Sequence, residues 1–227
     1  MVGKHAQSDD DPKLFHVVDH FPDADERTTH WESVYELSQV DGVSWYQQEP
    51  LVSLELVDIL GVEKDARVVD VGGGASILVD FLLARDFTDL TVLDISKSAL
   101  RVSRERVGPD AHVTWIAHNL LTWEPTYRYG LWHDRAVFHF LLPDEINVYQ
   151  DLLRRSVAPG GSVIMATFAP DGPEWCSGLP VTRYNADQLV EVLGDEFTVV
   201  EQRREVHATP SGALQPFTWI AASRSLS

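Results

Sequence analysis

The sequence passes directly from a short β-branched run, Val68-Val69-Asp70-Val71, into three consecutive glycines, Gly72-Gly73-Gly74. A run this short and apolar reads as a buried strand, and the glycines make a turn in which backbone approaches its surroundings without Cβ atoms. An apolar stretch from Ile77 to Leu83 continues as a helix. Strand, glycine turn and helix present bare backbone and the free N–H groups of a helix start to a ligand, which suits a nucleotide-like cofactor. The same sequence without a ligand is an ordinary tight turn, so the motif needs company before it carries a function.

The pattern recurs. A strand at Leu90–Ile95 is followed by a helix from Ser96, its N-cap, to about Val107, and then by a strand at His112–Ala117. A fourth strand lies within Leu131–Phe138 and a helix opens at Pro143-Asp144-Glu145 with acids in its first turn. Ala158-Pro159-Gly160-Gly161 then turns into a fifth strand, Ser162–Phe168. Ahead of them all, apolar residues from Leu51 to Leu60 have helical spacing that Gly61 ends through a left-handed cap. Such alternation predicts a parallel, doubly wound sheet. After a Pro/Gly-rich loop at 169–180, Asn185-Ala186-Asp187-Gln188 forms a capping box, and the strands Phe197–Val206 and Ala213–Ala222 follow with no helix between them. The expected fold is α/β: a doubly wound, seven-stranded, mostly parallel sheet closed by a C-terminal antiparallel hairpin. It occupies residues 31–227, behind an acidic, loosely ordered arm at 1–30.

Asp94 closes the second strand, where a carboxylate accepts hydrogen bonds from both hydroxyls of a ribose. A nicotinamide dehydrogenase also needs a glycine turn and a ribose acid. This chain departs from that pattern: Gly72-Gly73-Gly74-Ala75-Ser76-Ile77 lacks the last glycine of G-x-G-x-x-G, and Asp70 stands before the turn.

On these residues the chain resembles the class I S-adenosylmethionine (SAM)-dependent methyltransferases, with their Rossmann-like fold, from about Trp31 to its end. Asp70-Val71-Gly72-Gly73-Gly74 looks like the family's first motif, Asp94 like its ribose-binding acid, and Val157-Ala158-Pro159-Gly160-Gly161 like the turn before strand five. The resemblance implies SAM as cofactor, S-adenosylhomocysteine as product and no metal, and sets Ile95, Asn119 and Leu120 beside the adenosine. Many members have Asp in place of Asn119; an amide oxygen still accepts from the adenine amino group. A narrower likeness lies in His30-Trp31-Glu32-Ser33-Val34-Tyr35, Val43-Ser44-Trp45-Tyr46-Gln47 and Trp132-His133-Asp134-Arg135-Ala136-Val137-Phe138-His139. These look like a bacterial subgroup of small methyltransferases, related in layout to thiopurine, tellurite and thiol methyltransferases. It implies that Trp31, Tyr35 and Trp45 border the cofactor and that the acceptor is a small molecule, with a simple thiol or sulfide as the first expectation. Some cousins methylate protein lysines, which is the alternative. A SAM-binding regulator without catalysis is a third, prompted by Asn119 and Ser76.

Methyl transfer from a sulfonium is an in-line displacement, so the protein aligns the reactants, excludes water and manages the acceptor's proton. Trp45 and Tyr46 are expected over the methyl end, their ring faces favouring the cationic sulfur. Asp134, Arg135 and His139 fall at the end of strand four, where open α/β sheets present ligands. Arg135 would lower a thiol's pKa, and Asp134 or His139 would take its proton; a structural Asp–Arg pair is the competing account. Arg183 and Tyr184 are expected to touch the acceptor, although Tyr184 also suits packing onto Leu189.

Composition narrows the partners. The formal charge is −17, from 35 acidic and 18 basic residues, which repels polyanions and argues against nucleic acid. Apolar runs stay too short to span a membrane and the N-terminus lacks the apolar core of a secretory signal, so a cytoplasmic monomer or homodimer is expected. Cys176 is the only cysteine, which excludes an intrachain disulfide, and the nine histidines show no ligand-type spacing, which gives a metal no support.

Overall fold

The computed structural model describes residues 22–37 and 42–226; most of the expected arm, residues 1–21, lies outside them. The elements are α1 (Ala24–Leu37), α2 (Leu51–Ile59), β1 (Arg67–Val71), α3 (Leu78–Ala84), β2 (Asp89–Asp94), α4 (Lys97–Val107), β3 (Val113–Ala117), β4 (Tyr129–Arg135), α5 (Pro143–Ser156), β5 (Val157–Phe168), β6 (Trp175–Cys176), β7 (Leu179–Pro180), α6 (Ala186–Leu193), β8 (Phe197–Ala208) and β9 (Leu214–Arg224). The seven-stranded sheet runs β3-β2-β1-β4-β5-β9-β8, with β9 antiparallel to both its neighbours and β1 to β5 mutually parallel. This is the expected architecture. A separate two-stranded pair, β6 with β7, forms inside what reads as loop in the sequence.

Each face of the sheet carries its own apolar core. One joins Val69, Val71, Trp132 and Met165 to Tyr149, Leu152 and Leu153 of α5 and Leu189 of α6. The other joins Val68, Leu131, Ile164 and Trp219 to Leu54 and Val57 of α2, Leu78 and Leu82 of α3 and Leu100 of α4. The period-two alternation of the strands feeds both, which is why a buried parallel strand reads as a continuous apolar run. Helix α2 ends as its sequence suggests: Gly61 (φ +61°) donates to Asp58 O at 3.1 Å and Val62 N–H reaches Val57 O at 3.3 Å.

Three boundaries differ from expectation. Strand β5 begins at Val157 rather than Ser162, pairing Val157 with Tyr129, and the expected turn survives only as a register shift before Ser162. Helix α1 begins at Ala24 rather than near Trp31. Its sequence has little apolar period, and it is held instead by tertiary contacts, with Arg27 buried against Glu145 of α5. Strand β4 stops at Arg135, because Asp134 accepts from the N–H groups of Val137 (3.0 Å) and Phe138 (3.2 Å) and bends the chain into a 3₁₀ turn.

Candidate active site

The turn after β1 has no room for side chains. Gly72 (φ +65°) and Gly74 (φ +39°) hold backbone that other L-residues avoid. A Cβ on Gly72 would collide with Val137, and one on Gly74 would stand 2.7 Å from Asp94 Oδ2 and 3.1 Å from the Tyr35 hydroxyl. The N–H groups of Gly72 and Gly73 donate to Leu93 O at 2.7 and 3.3 Å, tying the turn to β2. The floor of the cleft is therefore bare backbone at the carboxyl ends of β1, β2 and β4, where the strand order reverses between β1 and β4.

Asp94 is 8% exposed, and its Oδ1 accepts from Ser96 N–H at 2.8 Å. Burial pushes its carboxyl up to about 7; the Asp70 and Glu32 carboxylates add to this, and the N–H donors of Ser96 and Ile95 oppose it. A ligand offering hydroxyl donors would stabilise the ionised form. Ser96 also caps α4, its Oγ accepting from Ala99 N–H at 3.0 Å. Glu32 of α1 reaches the same helix start, accepting from Lys97 N–H at 2.6 Å and Ser98 N–H at 3.1 Å, so a carboxylate of one helix caps another.

Two adjoining cavities, with about 920 and 610 Å³ of atom-free space partly continuous with solvent, occupy this end of the sheet. The larger is bordered by Asp94, Ile95, Asn119 and Leu120 and by the rings of Trp31, Tyr35, Trp45 and Phe140. Asp70, Gly73 and Tyr46 border the smaller, and Gly72 and Arg135 border both. Of the residues expected at the cofactor, Gly74 alone borders neither, and its role is to let Asp94 and Tyr35 close in. Asn119 Oδ1 already accepts from Leu121 N–H at 2.9 Å, capping the 3₁₀ turn Leu120–Thr122, so one of its lone pairs is engaged before any adenine arrives.

The roof is aromatic. Trp31 packs edge-on against Trp45 (5.6 Å between centroids) and Phe140 (5.3 Å), and Tyr35 against Trp45 (5.9 Å). Burial, followed by the charge of Asp94, drives the Tyr35 hydroxyl well above its ordinary range, so it acts as a neutral donor and acceptor.

The residues after β4 divide by strand alternation. Arg135 points into the cleft: its Nη1 donates to Trp45 O at 3.2 Å and its guanidinium lies over the Phe217 ring at 4.7 Å. Asp134 points to the opposite face, fully buried, where it also accepts from the Tyr149 hydroxyl at 2.8 Å. Burial pushes its carboxyl up to about 6. His139 is likewise fully buried, its Nδ1 accepting from Phe168 N–H at 3.3 Å. Burial and then the Arg135 charge push it down to about 3. Neither Asp134 nor His139 borders either of these two cavities, and the contacts that each makes are to the buried core. Arg183 is held by Gly172 O (3.2 Å) and Glu174 (2.9 Å) within the loop, and it borders neither of these two cavities. The Tyr184 ring lies tilted against Phe138, 5.1 Å between centroids, in the same core as Leu189.

Sequence reasoning missed His133. Its Nδ1 is 2.7 Å from Asp70 Oδ1 and its Nε2 is 2.9 Å from Ser53 Oγ, a buried chain across β1, β4 and α2. A carboxylate only accepts, so Nδ1 carries the hydrogen shared with Asp70. Asp70 and His133 are register partners, a relation visible only once β4 is known to lie beside β1. Cys176, Arg27 and Phe140 also border the larger cavity. Among the described residues no group of three or more His, Cys, Asp or Glu is placed to hold a metal, and no helix is long and apolar enough to cross a membrane.

This sheet order, with a glycine turn after β1 and an acid at the end of β2, is the fold of the class I SAM-dependent methyltransferases. Solved structures of that fold superpose on most of the chain. A SAM-dependent methyltransferase from Anabaena variabilis gives a TM-score of 0.71 at 16% identity, covering 90% of this chain and 97% of that one. The 1,6-didemethyltoxoflavin-N1-methyltransferase of Burkholderia thailandensis, with 1,6-didemethyltoxoflavin and S-adenosylhomocysteine bound, gives 0.68 at 20% identity, covering 92% and 94%. The N-methyltransferase NodS of Bradyrhizobium japonicum, in complex with S-adenosylhomocysteine, gives 0.64 at 16%, covering 85% and 97%. In sequence, the chain is 22% identical over 136 residues to malonyl-[acyl-carrier protein] O-methyltransferase 2 of Ilyobacter polytropus. That match takes in 57% of this chain and 52% of the relative, so the chain spans about half the length of the curated protein it matches. No protein-family model matches the chain.

Proposed function

We propose that the protein is a SAM-dependent methyltransferase whose acceptor is a small, soft nucleophile, with a simple thiol or sulfide the first choice. The cofactor half is carried by Asp94, a buried carboxylate at the end of β2 beside a turn that excludes every Cβ. That pairing fits the ribose and the close backbone approach of SAM, with Ile95, Asn119 and Leu120 flanking its base. Bound there, SAM supplies a methyl group on a cationic sulfur, which leaves with the C–S electron pair as S-adenosylhomocysteine.

The acceptor half is supported by what borders the cleft around Arg135. The walls are aromatic, the charge is cationic, and the acids and imidazoles on the described linings are Asp70 and Asp94 beside the glycine turn, His118 beside Asn119, and His133, whose two ring nitrogens are engaged by Asp70 and Ser53. An acceptor there arrives ionised or yields its proton to solvent. A thiol does so readily, since its ordinary pKa of about 8.5 falls beside a cation. Methyl-ester formation on a carboxylate is the second reading: a carboxylate also arrives ionised, and the sequence relative is named as a malonyl-[acyl-carrier protein] O-methyltransferase.

The test is calorimetric titration with S-adenosylhomocysteine, followed by labelled SAM with sulfide, thiols, phenols, amines and carboxylic acids. Extractable methyl thioethers are expected. A base-labile methyl ester instead selects the second reading, and absence of S-adenosylhomocysteine binding overturns the cofactor assignment.

A further inference from the structure

The guanidinium of Arg135 is only half used. Nη1 is committed to Trp45 O and the plane rests on Phe217, while Nε and Nη2 are buried with no hydrogen-bond partner among the described residues. These two nitrogens share one edge of the guanidinium, the edge whose parallel N–H groups meet both oxygens of a carboxylate side-on. Buried donors left unmade are costly, and more so when charged. The carboxylates whose fields reach Arg135 are engaged elsewhere. Glu205 accepts from Trp219 Nε1 at 2.8 Å and Gln47 Nε2 at 3.4 Å, and Asp70 Oδ1 is held by His133 at 2.7 Å. Arg135 borders both cavities at the reversal point of the sheet.

We propose that this unpaired edge is a carboxylate subsite, and that the acceptor is a small molecule bearing a carboxylate, docked side-on by Nε and Nη2 of Arg135. The proposal rests on the methyltransferase reading and sharpens its substrate class. A thiolate concentrates its charge on one atom and uses one donor; a carboxylate uses both. The acceptor is thus a mercapto-carboxylate, or an acid methylated on oxygen. The other source of the same group is the amino-acid end of the cofactor, and the experiment separates the two.

Malonate, thioglycolate and uncharged 2-mercaptoethanol are titrated calorimetrically into the full chain with and without S-adenosylhomocysteine, for wild type, Arg135→Gln and Arg135→Lys. Both carboxylates are expected to bind wild type, with 2-mercaptoethanol at least tenfold weaker. Arg135→Gln is expected to lose tenfold or more, and Arg135→Lys, which keeps the charge but not the paired donors, to recover only part of it. Equal carboxylate binding by wild type and a folded Arg135→Gln overturns the subsite. If Arg135→Gln weakens S-adenosylhomocysteine tenfold but leaves 5′-methylthioadenosine, which lacks the amino-acid end, unchanged, the edge serves the cofactor and the acceptor assignment falls. Carboxylate binding through Arg135 without any S-adenosylhomocysteine binding sustains the subsite and removes the methyltransferase reading.

Discussion

Asp94 and His133 act on the same turn by different means. The Asp94 carboxyl, near 7 in the folded chain, lies above its unfolded value of about 3.9. Its contribution to stability is therefore fully present below that unfolded value and is withdrawn as pH rises through about 7. Ligand hydroxyls favour the ionised form, so S-adenosylhomocysteine affinity should rise with pH and level off above about 7. Asp94→Asn should bind more weakly by about 1.4 kcal/mol or more, and calorimetry across pH should show a flat profile. His133 fixes Asp70 rather than touching a ligand's reacting atoms. Replacing it by Phe leaves Asp70 Oδ1 and Ser53 Oγ unpaired, a loss of roughly 1–3 kcal/mol in denaturant unfolding. If it positions Asp70 for the cofactor, KM for SAM rises while kcat changes little, and His133→Gln restores part of the affinity; an unchanged KM confines His133 to packing.

The elements that were legible in the sequence are those with local causes. β1 with its glycine turn, α4 with its Ser96 cap, α6 with its Asn185–Gln188 box and the closing hairpin all announce themselves within a few residues. Helix α1 does not, because its partners are distant: Glu145 for Arg27, the start of α4 for Glu32, Trp45 and Phe140 for Trp31. The cofactor half of the cleft followed from the glycine turn and Asp94, which sit on one βαβ unit. The orientations along β4 were not legible, since alternation sends Arg135 into the cleft and Asp134 away from it, and the sequence does not say which face is which. Because α1 roofs the larger cavity, its fastening should govern ligand release. Glu32→Ala removes a carboxylate cap at the α4 start, at a cost of about 0.5–2 kcal/mol in unfolding experiments. It should also raise hydrogen exchange in α1 and quicken S-adenosylhomocysteine dissociation in stopped flow; unchanged dissociation would detach the roof from ligand exchange.

Across the whole sequence, 35 acids face 18 basic residues, and among the described residues most ion pairs involve at least one exposed partner. Exposed pairs contribute roughly 0–1 kcal/mol each, less than the mutual repulsion of the unpaired excess. Raising salt toward physiological strength, where the screening length is about 8 Å, should therefore raise Tm; a falling Tm in a salt series would show that the pairs dominate instead. The sheet order has a consequence for how the molecule comes into being. Strand β9 lies between β5 and β8, and its Phe217, Trp219 and Ile220 fill both cores. Until residues 214–224 leave the ribosome, β5 presents an unpaired hydrogen-bonding edge beside two unfinished cores. The parallel half that carries the cleft is made first, and the seam that closes it is made last, so the nascent chain passes through a stage in which its most adhesive strand waits for its partner.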